Sequence, residues 1–366
     1  MFNRNLSKIV KKFIREIFKL NYGKIKLSNN INYSTKILQV EKYKNDIFED
    51  KKYFIYSTDN CRIYTDLNEN VAVIKDNIIL SGHSFQQIRG NLEKINLNSV
   101  FQNGTPYIKK KVNGTIFNLL QGASGENYFH FLFDILPKIS LLKSKITLTE
   151  IDFFLVNKKI DWQIKIFRMI GINEEKILSA EIHRHIDADK IISVTHPWYF
   201  EGYVQEQVGN LPNWIINDLR IQFLKNTNSQ NNLKIFLDRS GSKFNHLKIL
   251  NNEEVINLLK KKGYQIIKPE NLSFKEQIDL FSNAKTIIGA HGAALTNIIF
   301  CKEKTNIIEI IPSSHPSQKC KRLSSILNLK YFRLITEDTK NDEIFPYCIN
   351  MNLDILENVV SKYSDI

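Results

Sequence analysis

The stretch KTIIGAHGAALTNIIF, Lys285–Phe300, decides the reading of the fold. An apolar run leads into small residues with a histidine among them, and a second apolar run follows. Glycine tolerates the tight bend from strand to helix, so the segment reads as strand, turn and short helix. Working outward, KIFLDRS reads as a strand, NNEEVINLLKKKG as a helix with an Asn cap and a closing Gly, and YQIIKPE as a strand. In LSFKEQIDLFSNA, Ser273 and Glu276 form a capping box that starts the next helix. Beyond the turn, NIIEIIP is a strand, CKRLSSILN a helix and KYFRLIT a strand. Strands alternating with helices of about 8 to 13 residues imply an α/β fold with a parallel, doubly wound sheet. Ligands of such sheets bind at the carboxyl ends of strands, where Asp238, Arg239, Gly289, His291 and Glu309 all fall.

The 366 residues, 43% hydrophobic and 24% charged, are enough for two ordinary soluble domains. Lys+Arg 51 against Asp+Glu 38 gives +13, which attracts nucleic acid, phospholipid headgroups, nucleotide phosphates or an acidic polymer. Zinc-finger, RRM and helix-turn-helix signatures are missing, so nucleic acid is not the expected partner. Cys61, Cys301, Cys320 and Cys348 form no C-x-x-C pair, which argues against a zinc site or a disulfide framework and suits a reducing cytosol. No run approaches the ~18 apolar residues of a membrane span, and no secretory core is present, so a cytoplasmic protein is expected.

The first twenty residues add a pattern of their own. Leu6, Ile9, Val10, Phe13, Ile14, Ile17 and Phe18 recur at three- and four-residue spacing, with Arg4, Lys8, Lys11, Lys12, Arg15 and Lys19 mostly between them. This is a basic amphipathic helix. It suits an anionic membrane surface, which would make the protein peripheral on the inner face of the cytoplasmic membrane, or it packs on the rest of the chain.

From about Ile37 to Leu120, short β-rich runs such as VAVIKDNIIL and TIFNLL read as irregular α/β. In QGASGENYFHFLFDILPKISLLKSK, Phe129, Leu132, Phe133, Leu136 and Ile139 follow helical spacing, with Pro137 bending or ending the first stretch. IDFFLVN is a strand, DWQIKIFRMIGI a helix stopped by Gly171, ADKIISV a strand, and Trp214 to Leu224 a helix. The polar run KNTNSQNN marks a domain boundary. The expected organisation is an amphipathic helix over 1–22, an acceptor-side α/β domain over 23–228, a nucleotide-sugar domain over 229–340 and a tail helix over 341–366.

Three constellations carry chemistry. In GAHGAALTN, small residues from Gly289 onward admit a ligand, the N–H groups of Gly292 and Ala293 face a phosphate, His291 donates to an oxygen, and Asn297 follows on the helix. Arg239 and Lys243 in LDRSGSKFNH suit a pyrophosphate, and Glu309 can accept two sugar hydroxyls. His130 and Asp134, four apart on a helix with Asn127 on the neighbouring turn, can form an acid/base pair. Neither G-x-G-x-x-G nor G-x-x-x-x-G-K-[ST] occurs, which disfavours a dinucleotide oxidoreductase and a P-loop ATPase. Asp187-Ala188-Asp189 has the letters of a metal motif and is read as a surface turn.

NYFHFLFDILPKI, LDRSGSK and LSFKEQIDLFSNAKTIIGAHGAALTNIIFCKEKTNIIEIIP, in that order, resemble the signature segments of glycosyltransferase family 61, over roughly Gly122 to Pro312. The family includes capsule and lipopolysaccharide enzymes. The resemblance implies a GT-B architecture of two Rossmann-like domains facing a cleft, inversion at the anomeric carbon, a nucleotide sugar as co-substrate, and no obligatory metal or other cofactor. On that footing His130 assisted by Asp134, or Asp134 directly, is the base. Arg239, Lys243, His291, Gly292 and Ala293 hold the diphosphate, and Glu309 holds the ribose. The acceptor is a glycan or lipid-linked glycan. The family usually carries several Arg after the first strand of its C-terminal domain, where this chain has Arg239 and Lys243. A non-catalytic glycan- or nucleotide-binding protein of the same fold is the alternative.

Overall fold

A computed structural model describes residues 4–28, 33–67, 69–122, 125–224, 232–241, 247–315, 317–337 and 347–364, with side chains from 8 to 363 within those ranges. The polar run KNTNSQNN, apart from its last residue, and Lys243 lie outside the described residues. The chain divides into two compact units, Met1–Gln207 and Val208–Ile366. Residues 208–224 belong to the second unit; there Arg220 of the helix Asn213–Phe223 donates to the carbonyls of Ile299 and Cys301.

The first unit begins with helix α1 (Arg4–Tyr22) and is built on one sheet. Its principal strands are β1 (Tyr53–Thr65), β2 (Lys110–Asn118), β3 (Phe153–Val156), β4 (Ile177–Ser179) and β5 (His185–Val194). The order β4-β3-β2-β5 is parallel throughout, and β5 then pairs antiparallel with β1. On its far side Tyr53–Thr65 pairs antiparallel with Lys36–Val40 and with Asn70–Lys75, the latter opening an antiparallel meander to which Lys26–Leu27 adds a short parallel pair. Its tight reversal at Asp76 and Asn77 has φ of 50° and 59°, the left-handed pair of a two-residue hairpin. This unit is therefore Rossmann-like only in its parallel portion; the remaining strands are too closely spaced in sequence for crossover helices.

In that parallel portion the helical segment 128–143 joins β2 to β3, and α2 (Asp161–Met169) joins β3 to β4. Gly171, at φ 87°, ends α2 as its position suggests. Asp187, Ala188 and Asp189 lie inside β5 and do not form a turn. Asp187 pairs with Lys109 at 3.1 Å, and Asp189 meets Lys111 at 2.7 Å and the Gly114 N–H at 2.8 Å. Asp189 sits at a register shift in the β5–β2 ladder, and cross-strand cations supply the charge that a metal would.

The second unit carries the predicted sheet: β6 (Leu233–Leu237), α3 (Asn252–Lys261), β7 (Gln265–Ile267), α4 (Phe274–Ser282), β8 (Ala284–Ala290), β9 (Asn306–Pro312), α5 (Lys319–Ile326) and β10 (Lys330–Thr336). All pairs are parallel, in the order β7-β6-β8-β9-β10. Counted along the chain this is 2-1-3-4-5, a doubly wound order whose direction reverses between β6 and β8. Ser273 and Glu276 form the capping box as read, with Ser273 Oγ accepting from the Glu276 N–H. The helix after the GAHG turn, Ala293–Phe300, is wound as 3-10. A closing helix, Leu353–Ser364, covers the sheet through Leu356 and Val360.

All four cysteines are buried free thiols. No helix among the described residues is long and apolar enough to cross a membrane. Helix α1 keeps much of its apolar stripe in solvent, with Ile9 65%, Phe13 66% and Leu20 87% exposed. Its C-terminal end is held: the Tyr22 carbonyl accepts from Arg62, and its ring packs on His185 at 5.0 Å.

Ile288 stands in the middle strand of the second unit with no exposed surface. Ile288→Ala is expected to cost about 2–5 kcal/mol, read as a lowered midpoint in urea unfolding.

Candidate functional site

In both units the chemistry gathers at the carboxyl ends of parallel strands. In the first, Asn127 caps the helical segment by accepting from the N–H groups of Phe129 and His130, which fixes the backbone of the histidine. Asn127 is thus the cap of this segment. Pro137 has no N–H for the carbonyl one turn back, and directly ahead of it Phe131–Ile135 winds as a π turn. His130 and Asp134 are brought together across that turn, with Nδ1–H donating to Asp134 Oδ2 at 2.8 Å.

Asp134 is buried, and its other oxygen accepts from Trp198 Nε1 at 2.8 Å. Burial alone would raise its carboxyl; the charge and hydrogen bond of His130 and the nearby His196 and Lys138 outweigh this and hold it below the usual range. Asp134 is 2% exposed, and each of its oxygens already accepts a hydrogen bond. His130 keeps Nε2 as its second nitrogen. Lys138, one turn on, is buried and donates to the carbonyl of Leu120 and to Gln121 Oε1; burial brings its ammonium down to about 8.

In the second unit the reversal of strand order lies between β6 and β8, and Arg239 and His291 follow directly on those two strands. Arg239 Nη1 donates to the His291 carbonyl, and a Cβ on Gly292 would collide with the same guanidinium. A larger residue at 292 would therefore have to displace the guanidinium. Gly289 instead faces Leu237, whose Cβ lies 3.2 Å from where its own Cβ would stand, so its smallness serves strand packing and not ligand approach. From the far side Lys319 Nζ donates to the Gly292 carbonyl at 2.8 Å. Two cations thus grip successive carbonyls of the GAHG turn, while His291, Gly292 and Ala293 stay partly exposed.

Glu309 is 1% exposed, and its oxygens accept from His291 Nδ1 and Tyr331 Oη, each at 2.6 Å, and from the Cys320 thiol. Burial would raise this carboxyl, but those donors, His291 first, bring it to about 2. Glu309 cannot reach a ribose: the fourth residue of a seven-residue buried strand, it orients His291 instead. Burial lowers His291, against the pull of Glu309, so the ring is neutral with its proton on Nδ1 and Nε2 is an acceptor until it is protonated. Asn297, 0% exposed, donates to Gln277 Oε1 at 2.6 Å; it ties the 3-10 helix to α4 and does not face a donor.

His315, absent from the sequence-level set, lies against His291 with ring centroids 4.3 Å apart. Its Nδ1 accepts from the Ser317 N–H, which leaves Nε2–H as a donor in the neutral ring. Lys319 and Tyr331 were equally hidden. A histidine and a lysine within twenty residues after a strand end are the only sequence signal for the first two. Beside the turn, a cavity of about 690 Å³ is lined by Asp238, Arg239, Ser240, Asn252, Lys268 and Ala290, among others.

Among the described residues, His291, Glu309 and Cys320 have ligand atoms within 4.8 Å of one another. The carboxylate of this trio is saturated with hydrogen bonds, and Arg239 and Lys319 add positive charge beside it. A divalent cation would have to displace those bonds against like charge.

Residues 128–308 match the family model described as Glycosyltransferase 61. The matched span runs from the His130 helix through the GAHG turn and stops one residue short of Glu309. No curated protein matches the chain. Among solved structures, a mutant flavo di-iron protein from Thermotoga maritima aligns with 90% of this chain and 98% of its own at 9% identity, with a TM-score of 0.27, which carries no weight for the fold.

With the folded value of Glu309 near 2 and the unfolded one near ~4.3, the carboxylate stabilises the fold fully above pH ~4.3, and this is lost as pH falls toward 2. Glu309→Gln should therefore unfold more easily at pH 7 and lose less further stability between pH 7 and 3 than the parent. Equal losses in urea melts at the two pH values would contradict the assignment.

Proposed function

The family match over residues 128–308 makes the protein a glycosyltransferase, and from that premise we propose that it inverts the anomeric carbon of a nucleotide sugar in one displacement, without an obligatory metal. The observation that carries this is the pair of occupied carboxylates. Asp134 and Glu309 each present an imidazole and neither offers a free oxygen as a nucleophile, so the acceptor hydroxyl itself attacks. His130 Nε2 takes the hydroxyl proton, the new C–O bond forms at the anomeric carbon, and the bond to the diphosphate oxygen breaks. Arg239, Lys319, His315 and the N–H groups of Gly292 and Ala293 receive the charge that develops on the leaving diphosphate. His291, once protonated, adds to them. These groups perform the electrostatic work of a divalent ion, and the cavity beside Arg239 has room for the nucleoside. In this reading the first unit supplies the base and the second the donor site.

The acceptor in this proposal is a membrane-tethered or lipid-linked glycan in capsule or lipopolysaccharide assembly at the cytoplasmic face. Support comes from α1, whose exposed Ile9, Phe13 and Leu20 accompany Lys8, Lys11, Lys12 and Arg15. Anionic lipid satisfies both features at once, with each basic residue near the surface worth ~1 kcal/mol.

A thermal-shift screen against nucleoside diphosphates and nucleotide sugars should raise the melting temperature by a few degrees for one base, unchanged by EDTA; an EDTA-sensitive shift would refute metal independence. With the donor so found, His130→Ala should lower kcat about 10²–10⁴-fold. Full turnover in that variant would remove His130 as the base. The protein should co-sediment with vesicles containing phosphatidylglycerol and be released by salt or by Phe13→Glu, whereas equal recovery with neutral vesicles would refute the electrostatic part.

A further inference from the structure

Two side chains reach Asp134 from the loop 195–200 that follows β5, the parallel neighbour of β2. Trp198 is fully buried and places its N–H on Asp134 Oδ1 at 2.8 Å. His196 Nε2 stands 3.9 Å from the same oxygen. The loop fixes the tautomer of that histidine, because Nδ1 accepts from the backbone N–H groups of Trp198 at 3.3 Å and Tyr199 at 2.9 Å. In the neutral ring the proton is consequently on Nε2. Burial takes His196 down to about 3, so the ring is neutral in the working range. Its Nε2–H is buried without a hydrogen-bond partner. Ordinary packing avoids leaving a buried donor so. Closing the gap to the usual ~2.9 Å needs only about 1 Å of movement.

We propose that Trp198 and His196 are positioning residues of the transfer reaction, acting on Asp134 from the side opposite His130. This rests on His130 being the base. Trp198 fixes Oδ1, so that Oδ2 remains aligned with His130 Nδ1 and the imidazole keeps its proton there, with Nε2 an acceptor. When His130 becomes an imidazolium, the donors on Oδ1 make the carboxylate a poorer base, so the transferred proton stays on His130 and is not passed to Asp134. His196 supplies a second donor that can close on Oδ1 at that moment. The other charged group facing Asp134 is Lys138, held by Leu120 and Gln121.

The test uses the full chain, ligand-free, with ¹⁵N-labelled histidine and long-range ¹H–¹⁵N correlation. The eight histidines are sorted with His130→Gln and His196→Gln. The expected spectrum has His130 as the Nδ1–H tautomer with a downfield proton, and His196 as the Nε2–H tautomer. Trp198→Phe keeps a ring in place and removes the N–H; the His130 Nδ1 proton should then move further downfield as the carboxylate leans on its remaining donor. With the donor sugar from the thermal screen, kcat should fall about tenfold with KM unchanged. His196→Gln removes a donor that closes on Oδ1 only once His130 is an imidazolium, so it should leave this proton in place in the ligand-free protein and still lower kcat with KM unchanged, which serves if Trp198→Phe does not fold. An Nε2–H tautomer for His130 in the parent protein, an unmoved proton in folded Trp198→Phe, or an unchanged kcat in His196→Gln overturns the proposal. Full turnover by His130→Gln would sink the base assignment alone, because the resonances report on the clamp without any substrate.

Discussion

A carboxylate removed from water has to have its charge met by donors, and both candidate sites are organised by that demand. Asp134 and Glu309 are almost wholly buried, each accepts from the Nδ1–H of a histidine, and each fills its second oxygen with an aromatic donor, Trp198 in one case and Tyr331 in the other. Both carboxylates are thus engaged with their neighbours. What they determine is the tautomer and orientation of His130 and His291, and through these which nitrogen is left to act.

Position in the sheet explains why the pairs are where they are. Strand ends in a parallel sheet bring neighbouring loops together on one edge. At the ends of β2 and β5 this joins the His130 helix to the loop of Trp198; at the ends of β6, β8 and β9 it joins Arg239, the GAHG turn and the segment of His315 and Lys319. The antiparallel half of the first unit has no such edge. Its buried polar groups, such as His83 between Thr58 and Ser193, satisfy one another.

Much of the second unit could be read from local signals: the alternation of strands and helices, the Ser273 capping box, and the Gly263 stop with φ 81°. The His130–Asp134 spacing was legible for the same reason, since a helix fixes neighbours four apart. Contacts set by tertiary folding were not. Trp198 lies sixty-four positions from Asp134, and Tyr331 twenty-two from Glu309. Glu309 in an apolar strand looked like a group waiting for a ligand, because burial and prior engagement do not show in spacing. Asn297 misled in the same way, and Asp187–Asp189 looked like a loop because the cations paired with them come from another strand.

The π turn at Phe131–Ile135 holds one residue more than an α-helix needs for the same advance. Its effect is one of phase. The buried face of 136–142 is set by packing on the sheet, whereas the direction of His130 is set by the winding upstream of it. A homologue lacking one residue here could form a more regular helix with an unchanged core, yet everything before the deletion would be turned by about 100°. The histidine would then face a different neighbour. The length of the segment between Asn127 and Pro137, and not only its composition, is thus part of what specifies the site.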